Sequence, residues 1–140
     1  MPFANPSDDQ IRALLSRRLR VAVVGCSPDP SRDSHRIARL LIDRGHRVFP
    51  VNPRASGELL GLPVYAELRE IGEPVDMVDI FRRSDQVGPI VNDAVAIGAK
   101  VIWMQLDVID EAAAARAQQA GLTVVMDRCP AIEYRRLFAG

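Results

Sequence analysis

The stretch Val21-Ala22-Val23-Val24-Gly25-Cys26-Ser27-Pro28-Asp29-Pro30-Ser31-Arg32-Asp33-Ser34, continued by His35-Arg36-Ile37-Ala38-Arg39-Leu40-Leu41-Ile42, decides the fold. Four apolar, mostly β-branched residues end on a glycine, a polar loop follows, and apolar residues then recur at helical spacing. The order is strand, loop, helix N-terminus. Unpaired backbone N–H groups and the helix dipole make such a terminus a natural anion site. Gly25 allows a sharp turn and a close approach of ligand to backbone. Ser27, Ser31 and Ser34 bring hydroxyls and Arg32 a positive charge, a set that suits the diphosphate of a nucleotide. The loop is not the dinucleotide Gly-x-Gly-x-x-Gly pattern, because Ser27 and Pro30 stand where glycines are needed. No Gly-Lys-Ser/Thr follows, so it is not a P-loop either. A plain strand-to-helix turn is the alternative.

Working outward, the same beat recurs. Before the stretch, Ser7-Asp8-Asp9-Gln10 forms a capping box and Ile11, Leu14 and Leu15 give the opening helix one apolar face. After it, a helix from about Ser34 to Arg44 stops at Gly45, and His46 to Asn52 is a second strand. Leu62-Pro63-Val64-Tyr65 reads as a short edge segment, since proline suits an edge, and Glu67–Ile71 as a helical turn. Pro74 launches a third strand over Val75–Phe81, followed by a helix from about Ser84 to Ile97. Gly98 ends that helix before the fourth strand, Lys100–Met104. An alanine-rich helix over Asp110–Ala120 ends at Gly121 before the fifth strand, Leu122–Met126, and a last helix spans Pro130 to Phe138. This alternation predicts an α/β, Rossmann-like doubly wound domain with a mainly parallel five-stranded sheet in order 3-2-1-4-5 and helices on both faces. Residues 1–140 are expected to form a single domain, with 1–19 as an N-terminal helical extension.

Composition removes several function classes. The chain of 140 residues is large enough for one core, and its 18 basic and 18 acidic residues cancel. Bulk charge therefore gives no support to a nucleic-acid or membrane partner. No apolar run spans a bilayer and no secretory signal opens the chain. Two cysteines, Cys26 and Cys129, make no secreted framework, so a cytoplasmic location with reduced thiols is expected.

In doubly wound sheets ligands bind beyond the carboxyl ends of the strands. That rule selects Gly25–Ser34, Asn52–Arg54, Phe81–Arg83, Gln105–Asp107 and Asp127–Cys129. Asn52 can bond a ribose or base and Arg54 an additional phosphate, although Asn52-Pro53 also suits a simple turn. Phe81 can stack on adenine, and Arg82 and Arg83 can pair with phosphate or solvate a surface. Gln105 can donate to or accept from a ligand amide, while Trp103 reads as core. His35 and His46 fall on unlike elements, no Ser-His-Asp set is forced together, and no Cys/His cluster has metal-ligand spacing. Cys26 reads as a buried inert thiol or, beside a helix N-terminus, a reactive one. Cys129, at the edge of the last strand, could reach a ligand thiol.

Taken together, Val23–Ser34, Val51-Asn52-Pro53, Val75–Arg83, Gly98–Leu106 and Gly121–Cys129 resemble the small stand-alone CoA-binding domain proteins, relatives of the CoA-binding domain of succinyl-CoA synthetase α subunits. The resemblance covers roughly residues 15 to 138. It implies coenzyme A, or an acyl-CoA, as the cofactor. Gly25, Cys26, Ser27, Arg32 and Ser34 then belong to the diphosphate loop. Asn52, Pro53 and Arg54 would border the adenosine and its 3′-phosphate, Phe81, Arg82 and Arg83 would line the nucleotide side, and Gln105 would lie along the pantetheine path. The sequence departs from the family pattern at Cys26, His35 and Asp107, and the charge of Asp107 weighs against acidic acyl groups. The phosphorylated histidine of the synthetases belongs to a second domain, so binding without catalysis is the expected role of the isolated chain. The alternatives are a small NAD(P)-dependent oxidoreductase and a nucleotide-sensing regulatory domain. A protein partner or a homo-oligomer stays open.

Overall fold

The structure, a computed structural model, describes residues 3–138. Met1, Pro2, Ala139 and Gly140, which the single-domain expectation includes, lie outside the described residues. The chain runs α1 (Asp8–Leu15), β1 (Arg20–Val24), α2 (Asp33–Asp43) and β2 (Arg47–Val51), then a minimal hairpin of β3 (Glu58–Leu59) and β4 (Leu62–Pro63). It continues through β5 (Met77–Ile80), α3 (Val87–Ala96), β6 (Val101–Met104), α4 (Glu111–Gln119), β7 (Thr123–Val125) and α5 (Pro130–Leu137).

The main sheet is parallel throughout, in the order β2-β1-β5-β6-β7. Outside β2, Tyr65 bridges Val51 in parallel: its N–H donates to Pro50 O at 3.0 Å and its carbonyl accepts from Asn52 N at 2.9 Å. Counted as the third member, this edge segment gives the expected 3-2-1-4-5 succession, with β5 fourth, β6 fifth and β7 extending the sheet. The strand over 75–81 therefore lies against β1, and the edge place beside β2 falls to Tyr65.

Alternate residues of the strands serve opposite faces. Ala22, Val24, Val78, Ile80, Ile102 and Met104 pack under α3 and α4, while Val21, Val23, Met77 and Trp103 pack under α1, α2 and α5. Trp103 is core, fully buried with its indole N–H donating to Arg128 O at 2.9 Å. Helix ends follow local chemistry. The capping box is present, with Ser7 Oγ accepting from Gln10 N and Ser7 N donating to Gln10 Oε1. The helix expected from Ser84 opens instead as a 3-10 turn, Ser84–Gln86, and is α-helical from Val87. Pro89 lacks an N–H and is tolerated only in a first turn, which fixes that start. Glu133, 1 % exposed, accepts from Arg128 and Arg136, and Arg136 also pairs with Asp8, so α5 is pinned to α1. No helix among the described residues is long and apolar enough to cross a membrane.

Candidate functional site

The first loop is built by backbone constraints at its base and side-chain bonds along its length. Gly25 sits at φ +84°, and a Cβ there would stand 2.6 Å from Phe81 O, so the strand end and the β5 loop meet only because the residue is glycine. Gly25 N donates to Val51 O at 2.8 Å, and Asn52 Nδ2 donates to Cys26 O at 2.9 Å. Beyond the turn, Ser34 Oγ accepts from Ser27 N at 3.0 Å, and the His35 ring donates from Nδ1 to Ser27 O at 2.9 Å. Asp29 closes the tip by accepting from both Ser31 N and Ser31 Oγ, and these bonds hold its carboxyl below the usual range. α2 then starts from Arg32 with no side chain capping its first turn. The result is a hollow of about 540 Å³ walled by Gly25, Ser27, Ser31, Arg32, Ser34 and Phe81.

Next to it lies a second space of about 590 Å³ between α2, α5 and the strand ends. The two share Asp33, Arg36 and Phe81 on their walls. Ile37, Leu40, Leu106, Val108 and Ile132 make this chamber largely apolar. Gln105, only 6 % exposed, stands on its wall with Oε1 lacking a hydrogen-bond partner among the described residues. The loop after β6 is clamped in place. Asp107 N donates to Asp127 Oδ1 at 2.8 Å, and Ser84 Oγ accepts from Ile109 N at 2.9 Å. Asp107 and Asp127 both adopt positive φ, 67° and 60°, so the corner beside the chamber holds two strained non-glycine residues.

The residues expected at the site separate into three groups. Gly25, Ser27, Arg32, Ser34 and Phe81 converge on the first hollow, and Phe81, Arg82 and Gln105 on the chamber. Cys26 turns inward: it is fully buried, its Sγ lies 4.0 Å from Ser34 O, and burial pushes the thiol up to about 12. That geometry resolves the open reading of Cys26 in favour of an inert thiol. Asn52 braces the loop, while Pro53, Arg54 and Arg83 are exposed and line neither hollow, Arg83 lying 3.4 Å from Asp85. Of the wall that α5 supplies, sequence reasoning singled out Cys129 and left out Ala131, Ile132 and Arg135. Cys129, Ala131, Ile132 and Arg135 form one chamber wall. The signal was present, because a helix starting directly after the last strand must begin at the ligand edge. Asp79, in the middle of β5, was also passed over; both its oxygens are buried without partners among the described residues, and burial raises its carboxyl well above the usual range.

A parallel sheet whose carboxyl edge opens into a polar hollow and an apolar chamber defines a Rossmann-like domain of the ligand-binding class. The CoA binding domain family matches residues 19–135. The chain belongs to that family. It is 38% identical over 125 residues to the uncharacterized protein YneT of Bacillus subtilis (strain 168), covering 89% of this chain and 92% of the relative. A hypothetical protein from Pyrococcus horikoshii has the same architecture, with a TM-score of 0.92 at 34% identity over 99% of this chain and 97% of its own. The dinucleotide-forming acetyl-coenzyme A synthetase 1 of Korarchaeum cryptofilum, in complex with phosphate and ADP, matches with a TM-score of 0.70 at 28% identity. There the match covers 86% of this chain and 28% of the synthetase, so one region of a larger enzyme shares this fold.

Proposed function

We propose that the chain binds coenzyme A or an acyl-CoA across both hollows, without catalysis by the isolated domain. The observation that carries this reading is the pairing of a polar cradle with an adjoining apolar chamber that shares Phe81. CoA has the matching division, a polyanionic nucleotide joined to a long uncharged arm. In this reading the diphosphate meets the open first turn of α2, the Ser27 hydroxyl and Arg32. The adenosine with its 3′-phosphate runs over Asn52, Pro53 and Arg54, while Phe81, Arg82 and Arg83 border the nucleotide. The pantetheine arm turns into the chamber and lies along the wall that includes Gln105.

Isothermal titration with CoA, ADP, NAD and NADP tests the assignment. CoA should bind more tightly than ADP, because only CoA reaches the chamber, and the nicotinamide dinucleotides should bind more weakly than CoA. Tighter binding of NAD or NADP would replace this reading with that of a dinucleotide-binding domain. Saturating CoA at 100 times its dissociation constant should add about 2.7 kcal/mol to stability.

A further inference from the structure

The chamber is more apolar than the arm that the CoA reading leads into it. A pantetheine arm carries amides and a hydroxyl. Ile37 and Leu40 of α2, Leu106 and Val108 after β6, and Ala131 and Ile132 of α5 line the chamber with side chains that offer it no hydrogen bond. Asp33, Arg36 and Arg135 are exposed and Arg82 is half-buried, so the charged heads on the lining can stay in water. Among the described residues, large apolar side chains are exposed at Val95, Leu106, Ile109 and Ile132. Two of these four, Leu106 and Ile132, stand on this lining. Apolar surface left in water on the wall of a concave site marks a place for an apolar ligand group. The lining follows α2 from Asp33, shared with the cradle, to Leu40, about 10 Å along the helix axis.

We propose that the ligand is a CoA thioester of an uncharged aliphatic acid, and that its acyl chain fills the space between α2, α5 and Leu106. This inference deepens the CoA reading above and rests on it. The polar arm keeps to the strand-end wall, and the thioester hands the acyl chain to the helix faces. There each methylene trades water for Ile37, Leu40 and Ile132 and strands no polar group. A carboxylate at the end of the chain would shed its water against the same side chains. A dicarboxylic acyl group therefore fits worse than a monocarboxylic one of equal length. The chamber adjoins the cradle through Asp33, Arg36 and Phe81. The bound nucleotide thus anchors the chain, which adds affinity without a second association event.

The test is isothermal titration of the full chain with free CoA and with acetyl-, butyryl-, hexanoyl-, octanoyl- and succinyl-CoA. Affinity should rise by roughly twofold to fourfold per methylene from acetyl to octanoyl. Butyryl-CoA should bind at least about tenfold more tightly than succinyl-CoA, which has the same number of acyl carbons. Leu106→Ser and Ile132→Ser change exposed positions, where folding tolerates substitution. Each should cut the octanoyl-to-acetyl affinity ratio by at least about threefold. Free CoA separates two failures. If CoA binds but affinity is flat with chain length, or succinyl-CoA equals or exceeds butyryl-CoA, or both variants keep the parent ratio, the acyl assignment is overturned and the CoA reading stands. If neither free CoA nor any thioester binds, both fall.

Discussion

At the amino edge of the sheet, Asp76 accepts from Arg20 N at 2.8 Å and from the Arg20 guanidinium at 3.1 and 3.2 Å, while His46 Nδ1 accepts from Leu19 N at 3.0 Å. At the carboxyl edge, among the described residues, Gln105 Oε1 is buried without a partner, and α2 and α5 begin with no side-chain cap. α1 and α4, which line neither hollow, are capped by Ser7 and Asp110. The polar groups named at the amino edge are paired within the chain, whereas Gln105 Oε1 and the first turns of α2 and α5 are not. Asp110 nevertheless caps α4 at the same carboxyl edge, and α3, which lines neither hollow, also starts uncapped. An unsatisfied buried group costs about 1–3 kcal/mol, so the open edge is the less stable arrangement taken alone. On the CoA reading, ligand atoms complete the first turn of α2.

The largest disturbance of the open edge should come from Gly25→Ala. The added Cβ meets Phe81 O at 2.6 Å, and φ +84° is strained for alanine. We expect a loss of roughly 2–4 kcal/mol in denaturant unfolding and CoA binding at least about 100-fold weaker, a difference of about 2.7 kcal/mol. Near-normal values for both would mean that the loop rearranges freely, against the picture of a cradle fixed by contact with β5.

Ser34→Ala follows in size. It removes the acceptor of Ser27 N, a bond of 3.0 Å that spans the loop. The expected cost is about 1–2 kcal/mol in the unfolding midpoint with an unchanged slope, and CoA and ADP should weaken together by roughly tenfold. A loss confined to CoA would move the diphosphate out of this hollow.

What was legible in the sequence follows the same division. Strands and helices were readable because Val21–Val24 or Val101–Met104 are apolar at every position, and because Gly45, Gly98 and Gly121 punctuate the helices; all three adopt positive φ. The cradle was readable because its parts are consecutive. The chamber was readable only in part: the strand-end rule selected Phe81, Gln105, Leu106 and Cys129, but Ile37 and Ile132 come from helix faces that meet these loops only through the sheet. Side-chain direction was likewise invisible. Cys26 and Ser27 are neighbours in sequence, yet one packs into the core and the other faces the hollow.

Ile132→Asp probes that hidden half. Ile132 is 40 % exposed, so stability should change by no more than about 0.5 kcal/mol. A carboxylate on the apolar wall should weaken CoA by roughly tenfold and leave ADP unaffected in parallel titrations. Equal losses for both ligands would place the effect in the cradle. No loss for either would take the arm out of the chamber.

The smallest expected effect lies at the closed edge and is seen through pH. His46 Nδ1 accepts from a backbone N–H, so Nε2 carries the proton and donates to the Tyr134 hydroxyl, which lies 3.4 Å from Leu15 O. Burial, and then Arg44, hold the imidazole pKa below its ordinary 6.5. Between that value and the lower folded one, the unfolded chain binds the extra proton and the native chain does not. Stability should therefore fall as pH drops through 6.5 toward the folded pKa and be fully present above it. Asp79 acts with the opposite sign: its raised pKa makes stability fall as pH rises from 3.8 toward the folded value. Comparing His46→Asn with the parent separates the two, since the variant keeps the Asp79 contribution. The parent should show the steeper loss from pH 7 to pH 5.5 in denaturant melts. Parallel slopes would mean that protonation leaves the Leu19–His46–Tyr134 bonds intact, and the closed edge would then owe its order to packing around Tyr134 rather than to its hydrogen bonds.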